Sequence, residues 1–275
     1  MGDRKHVLLA APYSAKKLAK WIKECGYVYT QPKLNGERIW WDGTYMFTSE
    51  GNYCESLPHI LEQLHDNWSG IPVDGEAYIH GWSRQKIHSV VSRTVNLHPQ
   101  YREMKFHLFD LAAGEFNQGT RFDAIGRNKY RFDHTPDIRL LPTALARSHD
   151  DLYQYTINLV HQGYEGSIVR HPTGIYMALS RRWMMKWKPG GRDRYKLIEM
   201  LEGRGKYAGT LGALIVEGSS GETFNVGSFA IPDEERVALW ACKEEYEGRV
   251  HVMIRYTELT DKGVPPSGVF EMVVE

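Results

Sequence analysis

The sequence predicts an α+β protein of two units, and three observations carry that expectation. Short β-rich runs alternate with amphipathic stretches without a repeating strand-helix-strand unit; a Pro-Gly-Gly segment interrupts the chain near residue 190; and the runs beyond it are nearly all strand-like. A chain of 275 residues exceeds an ordinary single domain. Its 42% hydrophobic and 25% charged residues are the balance of a globular protein.

Taken in order, a first helix is expected from Ser14 to about Cys25. Ser14 serves as N-cap, Leu18, Trp21 and Ile22 share one face, and Gly26 stops the helix. Tyr27 to Thr30 reads as a strand, Pro32 as a turn, and Arg38 to Trp41 as a second strand closing on an Asp42-Gly43 hairpin. Leu57 to His65 reads as helix. Further strands are expected at Pro72 to Tyr78, Phe106 to Leu111, Gly166 to Arg170 and Met184 to Trp187, with a helix over Asp150 to Gln162 and mostly antiparallel pairing. Lys188 to Asp193 carries the linker signature, which places the boundary between units 1–189 and 190–275. In the second unit, strands over Tyr195 to Leu201, Gly212 to Glu217, Thr223 to Val226 and Val250 to Glu258, with one helix over Asp233 to Glu245, suit a small β-barrel. No internal repeat or low-complexity segment is visible.

The formal charge sums to zero, but the sum hides an asymmetry. Residues 1–189 hold 24 Lys+Arg against 19 Asp+Glu, and residues 190–275 hold 10 against 15. The first unit is therefore the better partner for phosphate. Cys25, Cys54 and Cys242 are odd in number and lack CxxC spacing, which suggests neither a disulfide framework nor a zinc site and fits a reducing cytosol. The start of the chain is polar, and no run approaches the roughly 18 apolar residues of a membrane span.

The strongest local signal is Lys33-Leu34-Asn35-Gly36-Glu37-Arg38, a lysine at a strand end followed by a glycine turn. An amine attacks phosphorus only when deprotonated, and nearby cations such as Arg38 and partial burial favour that form. A solvated lysine in a polar turn is the plain alternative, and the hexapeptide alone does not decide between them. Further segments do. Asp74-Gly75-Glu76, Phe106 to Leu111, Glu165 to Arg170 and Met184 to Lys188 follow in order. With the hexapeptide, this series resembles the covalent nucleotidyltransferases: ATP-dependent DNA ligases, RNA ligases and capping enzymes. After the linker, Gly203 to Tyr207 and Arg255 to Thr260 resemble the OB domain of phage-type DNA ligases, so the resemblance to small ATP-dependent DNA ligases of phage and bacterial type spans nearly the whole chain.

The resemblance implies an adenylation (nucleotidyltransferase) domain over residues 1–189, with antiparallel sheets and flanking helices, and an OB-fold barrel over 190–275. It makes Lys33 the nucleophile that takes AMP from ATP, and Arg38 a clamp on the nucleotide. Gln31 joins the nucleotide-binding set, Glu76 contacts the ribose and Phe109 stacks on adenine. Glu165 becomes the ligand of a divalent metal, Mg²⁺ or Mn²⁺. Lys186 and Lys188, two apart on an expected strand and so on one face, hold the α-phosphate and stabilise the displacement. Arg181, Arg182, Arg204 and Lys206 are candidate DNA contacts. The implied reaction seals 5′-phosphate/3′-hydroxyl nicks in duplex DNA through lysyl-AMP and DNA-adenylate, each step an in-line phosphoryl transfer without a catalytic triad. The implied protein is a monomer with no membrane partner, working in the cytoplasm of a bacterial or phage-infected cell.

The sequence departs from the family pattern in three places. Asn35 stands where the motif has Asp. Thr48-Ser49-Glu50-Gly51 replaces SRxG, putting Ser49 where an arginine holds the nick's 5′-phosphate, and the end, Val264 to Glu275, lacks the basic residues that orient pyrophosphate. Only about 30 residues precede the nucleophile, so weak, salt-sensitive DNA binding dominated by phosphate contacts is expected. Two alternatives compete: an RNA or RNA–DNA hybrid ligase, which a 2′-hydroxyl would separate, and a nick-binding module with impaired self-adenylylation. A capping guanylyltransferase fits less well, because the elements after the linker resemble ligases.

Overall fold

The computed structural model describes residues 6–218, 221–256, 260, 264–265 and 268–274. It divides into two compact units, Met1–Trp187 and Lys188–Glu275.

The first unit holds two five-stranded sheets. Its elements are β1 (Ala11–Pro12), α1 (Ala15–Cys25), β2 (Val28–Lys33), β3 (Glu37–Trp41), β4 (Met46–Thr48), α2 (Pro58–Trp68), β5 (Val73–Tyr78), α3 (Arg84–Val91), β6 (Lys105–Leu111), α4 (Gln118–Arg127), β7 (Ile138–Leu140), β8 (Ala144–Ala146), α5 (His149–His161), β9 (Gly166–Arg170) and β10 (Met184–Trp187). The first sheet has the order β1-β10-β9-β2-β8 and the second β4-β3-β5-β6-β7. Pairing is antiparallel except at β1–β10 and β6–β7.

Helix α1 forms for the reasons its sequence suggests. The Ser14 hydroxyl accepts from the Lys17 N–H at 3.3 Å, and Gly26 ends the helix at φ 78°, a left-handed geometry that a Cβ would strain. Its apolar face, Leu18 and Trp21, packs on Val28, Val169 and Met185 of the first sheet. The larger core lies against the second sheet, where Ile39, Trp41, Val73, Phe106 and Leu108 meet Ile60 and Leu64 of α2 and Ile87 and Val90 of α3.

Two expectations are corrected here. Pro32 lies inside β2 and opens no turn: β2 continues to Lys33 against β9, while its pairing with β8 stops at Thr30. One edge of β2 is therefore free of a ladder at Pro32, where a proline without an N–H is tolerated. Helices α3 and α4 and the short strands β1, β7 and β8 were not expected. Each is short, and α3 and α4 are interrupted by polar residues that blur the helical period.

The second unit is a six-stranded sheet of order β13-β12-β11-β15-β16-β14, with β11 (Gly191–Glu202), β12 (Leu211–Glu217), β13 (Thr223–Val226), β14 (Ser228–Phe229), β15 (His251–Tyr256) and β16 (Gly268–Val274). It encloses Leu197, Met200, Leu214, Val216, Val252, Ile254 and Phe270. The expected linker is half strand, because Gly191 opens β11 opposite Tyr256, whose ring would stand 2.5 Å from any Cβ at that position. The single expected helix is two, α6 (Asp233–Ala241) and α7 (Lys243–Tyr246), separated at Cys242. The terminal segment, for which no element was expected, supplies β16, whose Phe270 is a core residue. Residues 257–259 of the Arg255–Thr260 motif and residues 266, 267 and 275 of the terminus lie outside the described residues.

Candidate active site

Lys33 is the last residue of β2 in the first sheet, and after three intervening residues the chain enters β3 in the second. Buried Leu34 anchors that crossing in the core. At Gly36 a Cβ would lie 2.3 Å from the Ala77 carbonyl oxygen and 3.1 Å from Glu76 Cγ, so only glycine passes. The Gly36 N–H donates to Glu76 Oε1 at 2.6 Å, so the backbone of the motif itself positions Glu76. The β3–β5 register sets Arg38 opposite Glu76, and the β2–β9 register sets Lys33 opposite Gly166, beside Glu165. The Lys33 ammonium pairs with Glu165 Oε2 and also donates to the Leu34 carbonyl at 3.2 Å.

Lys33, Leu34, Gly36, Arg38 and Glu76 border one pocket between the two sheets, to which Gln31, Phe109 and Lys186 also contribute, and Glu165 joins the site through Lys33. Apolar Ala10, Leu141, Ile168 and Met184 complete its walls. Burial raises the Glu76 carboxyl above the ordinary carboxylate range, against the opposing pull of Lys33 and the Gly36 hydrogen bond. The site therefore holds one acid that resists ionisation and one, Glu165, committed to a lysine.

Behind the pocket lies an ionic wall built on two buried carboxylates. Asp74 and Asp110 are both 0% exposed. Arg38 grips Asp74 with two N–H groups, Nε at 2.9 Å and Nη2, and donates a third to the Leu8 carbonyl at 2.8 Å. The Tyr176 hydroxyl donates to Asp74 at 2.6 Å. Asp110 accepts from Arg121 Nε at 2.8 Å and Nη2 at 3.1 Å, from Arg170 Nη1 at 2.8 Å and from Gln118 Nε2 at 3.0 Å. Burial alone would drag the Arg38 guanidinium down, but Asp74 overrides it and holds its pKa above the ordinary value. The guanidiniums of Arg38 and Arg170 stand 5.3 and 5.2 Å from the Phe109 ring centroid, fixing that ring as part of the pocket wall. Sequence reasoning missed Asp74, Asp110, Arg121, Arg170 and Tyr176. An aspartate inside the apolar run Phe106-His107-Leu108-Phe109-Asp110-Leu111 was the available signal, since a charge in a core strand requires a buried partner.

The structure sorts the remaining expected residues. Gln31 borders the pocket, but its side chain is occupied: Nε2 donates to the Phe109 carbonyl at 3.1 Å and to Thr143 at 3.0 Å, and Oε1 accepts from Arg170 at 2.8 Å. Arg38 borders the pocket with three of its five N–H groups engaged, and its positive charge is paired with Asp74. Lys186 lies on β10 and faces the pocket, whereas Lys188 belongs to the second unit and is not among the pocket residues. Buried Ser49 borders the pocket and donates to Glu50 at 2.8 Å. Arg181 and Arg182 are exposed ahead of β10, away from the pocket, and Arg204 and Lys206 are exposed in the second unit.

Among the described residues no group of three or more His, Cys, Asp or Glu is arranged to hold a metal ion. The pocket lining carries the carboxylates Glu37 and Glu76, and Glu165 stands beside Lys33. That donor set does not make a resident metal cage, but it suits Mg²⁺ or Mn²⁺, which bind through one or two carboxylates together with substrate phosphates. A lysine beside a carboxylate, with an aromatic wall and a second lysine across the pocket, is equipped for attack on a phosphorus atom.

Residues 202–273 match the family model of the DNA ligase OB-like domain. A Lig E DNA ligase aligns over 100% of this chain and 100% of its own, with 22% identity and a TM-score of 0.67. The ATP-dependent DNA ligase of bacteriophage T7, solved in complex with ATP, aligns over 98% of each chain with 18% identity and a TM-score of 0.59. Chlorella virus DNA ligase-adenylate aligns over 100% of each, with 20% identity and a TM-score of 0.53. No curated protein matches the sequence. In architecture the chain is mixed α+β with antiparallel-rich sheets, a fold it shares with these DNA ligases, and it ends in a DNA ligase OB-like domain.

Proposed function

We propose that this protein is an ATP-dependent DNA ligase that seals nicks through a lysyl-adenylate on Lys33, with residues up to Trp187 as the adenylation domain. The carrying observation is the placement of the Lys33 amine beside Glu165, in the same pocket as Glu76, Phe109 and Lys186, in a chain whose second unit matches a DNA ligase OB-like domain.

The Lys33 amine attacks the α-phosphorus of ATP. A P–N bond forms, the bond to the bridging oxygen breaks, and pyrophosphate leaves with the electron pair. Lys33 must first shed a proton, and the touching Glu165 carboxylate is placed to receive it. Phe109 offers a flat face to the base, Glu76 an acceptor for sugar hydroxyls, and Lys186 a charge for the α-phosphate. A Mg²⁺ or Mn²⁺ ion arriving with the nucleotide, held by Glu165, would neutralise phosphate charge. AMP then passes from Lys33 to the 5′-phosphate of a nicked strand, and attack by the adjacent 3′-hydroxyl joins the strands and releases AMP.

The test is incubation with α-labelled ATP and Mg²⁺ or Mn²⁺, alongside Lys33→Ala, followed by a chase with nicked duplex DNA. Label held by the parent, absent from the variant and lost as sealed product appears is the expected result. A parent that never takes up label overturns the proposal.

A further inference from the structure

The first unit carries a basic groove that the chemistry above does not use. On β10, Met184 and Lys186 face the nucleotide pocket, while Met185 packs with Leu18 and Trp21 of α1. Helix α1 therefore covers the opposite face of the same sheet. Between α1 and the segment preceding β10 runs a groove bordered by Lys17, Lys20, Trp21, Arg182 and Trp183, with Glu24 as its one acid.

The charge of this surface is one-sided. Helix α1 carries Lys16, Lys17, Lys20 and Lys23 against one acid, Glu24, and Arg181 and Arg182 stand across the groove. Lys16, Lys20 and Lys23 are spaced by four and three residues and share one exposed helical face. Glu24 lies 3.7 Å from Lys20 and 3.4 Å from His171, so one acid offsets part of the face, yet cations still outnumber it and like charges at the Lys16–Lys20 spacing disfavour a helix. The cations are also organised. Lys17 Nζ lies 4.8 Å over the Trp21 ring and donates to the Arg181 carbonyl at 3.3 Å, tying the helix to the arginine segment. The Arg182 guanidinium lies 4.4 Å over Trp183. Burial lowers the Lys17 ammonium below its ordinary value, so a bound anion would relieve it.

We propose that this groove and the lysine face of α1 form a second DNA-backbone contact, separate from the nucleotide pocket. An 11-residue helix is about 16 Å long. One DNA strand carries a charge about every 3.4 Å of axis, so the lysine row spans several phosphates. The contact reads phosphates, not bases, and serves intact duplex as well as a nick. It rests on the ligase reading for its choice of polyanion.

The experiment measures fluorescence anisotropy of the full chain, without ATP, on labelled intact duplex and on nicked duplex across a salt series. The parent is compared with the double variant Lys20→Glu/Lys23→Glu and with Arg182→Ala. All three positions are exposed, so folding, checked by thermal melting, is expected to survive. The double variant should bind both duplexes about tenfold or more weakly at low salt. Its slope of log affinity against log salt should be shallower by about 1.8, two phosphates' worth. Arg182→Ala should show a smaller loss of the same kind. Equal affinity and slope in parent and variants would overturn the groove as a DNA contact while leaving the ligase reading standing. A loss confined to an acidic polypeptide probe, with DNA binding intact, would overturn it in favour of a protein partner. A parent that binds neither duplex would overturn both readings.

Discussion

The back wall and the mouth of the pocket between the two sheets both gather acids and bases, but they dispose of them in opposite ways. At the back, Asp74 and Asp110 are sealed from water and saturated with arginine, glutamine and tyrosine donors. At the mouth, the Lys33 and Glu165 side chains keep 19% of their surface each and form a pair that a substrate can displace. Buried ion pairs cost much to break, whereas partly exposed ones cost little. The wall thus holds geometry, and the mouth keeps its groups available for exchange.

The comparison breaks if activity and stability fail together at both places. The largest effect is expected for Lys33→Ala, which should lower self-adenylylation by about three orders of magnitude or more while moving thermal stability by about 1 kcal/mol or less, read by label uptake and by melting. Asp110→Ala should do the reverse. Leaving Arg121 and Arg170 buried without their carboxylate is expected to cost about 3–5 kcal/mol in denaturant unfolding.

His107, on β6 beside the wall, sharpens the contrast through pH. Burial, helped by Arg139, depresses its pKa to about 4. A base whose folded pKa is depressed takes up its proton more readily when unfolded. Stability is therefore full above about pH 6.5 and falls as pH drops toward 4, by up to about 3 kcal/mol. His107→Gln should flatten that acid limb in melting curves taken across this window. The smallest effect is expected at Glu76, whose folded pKa is raised by burial. Its ionisation works against the fold, so stability is fullest below its unfolded pKa and declines as pH rises through the folded one. Glu76→Gln should remove that decline while weakening nucleotide binding, which nucleotide titration and pH-dependent melting would read separately.

The sequence made the mouth legible and the wall nearly illegible, for a physical reason. Lys33, Arg38, Glu76, Phe109 and Lys186 sit in short ordered motifs at strand ends, and the fold brings them to one pocket, with Glu165 paired to Lys33. The wall is assembled from positions up to 102 residues apart, such as Tyr176 on Asp74, and no local pattern encodes those pairings. Among elements, α1, β9 and β10 were readable because each carries a clean period or cap. Strand β16 was not, because its partner β15 and the hydrophobic cluster around Phe270 are set by tertiary packing. Pro32 misled because its local preference for a turn yielded to a strand edge with no ladder to break.

The passage from one sheet to the other directly after Lys33 has a consequence for how this protein tolerates change in length. Residues 34–36 are a tether of fixed reach between two sheets, with the Lys33 amine at one end and the glycine that seats Glu76 at the other. One inserted residue adds about 3.5 Å of reach, comparable to the whole separation of atoms poised to react. Insertions that a surface loop such as 92–99 would absorb are expected to uncouple the amine from its pocket when placed here, even in a chain that still folds.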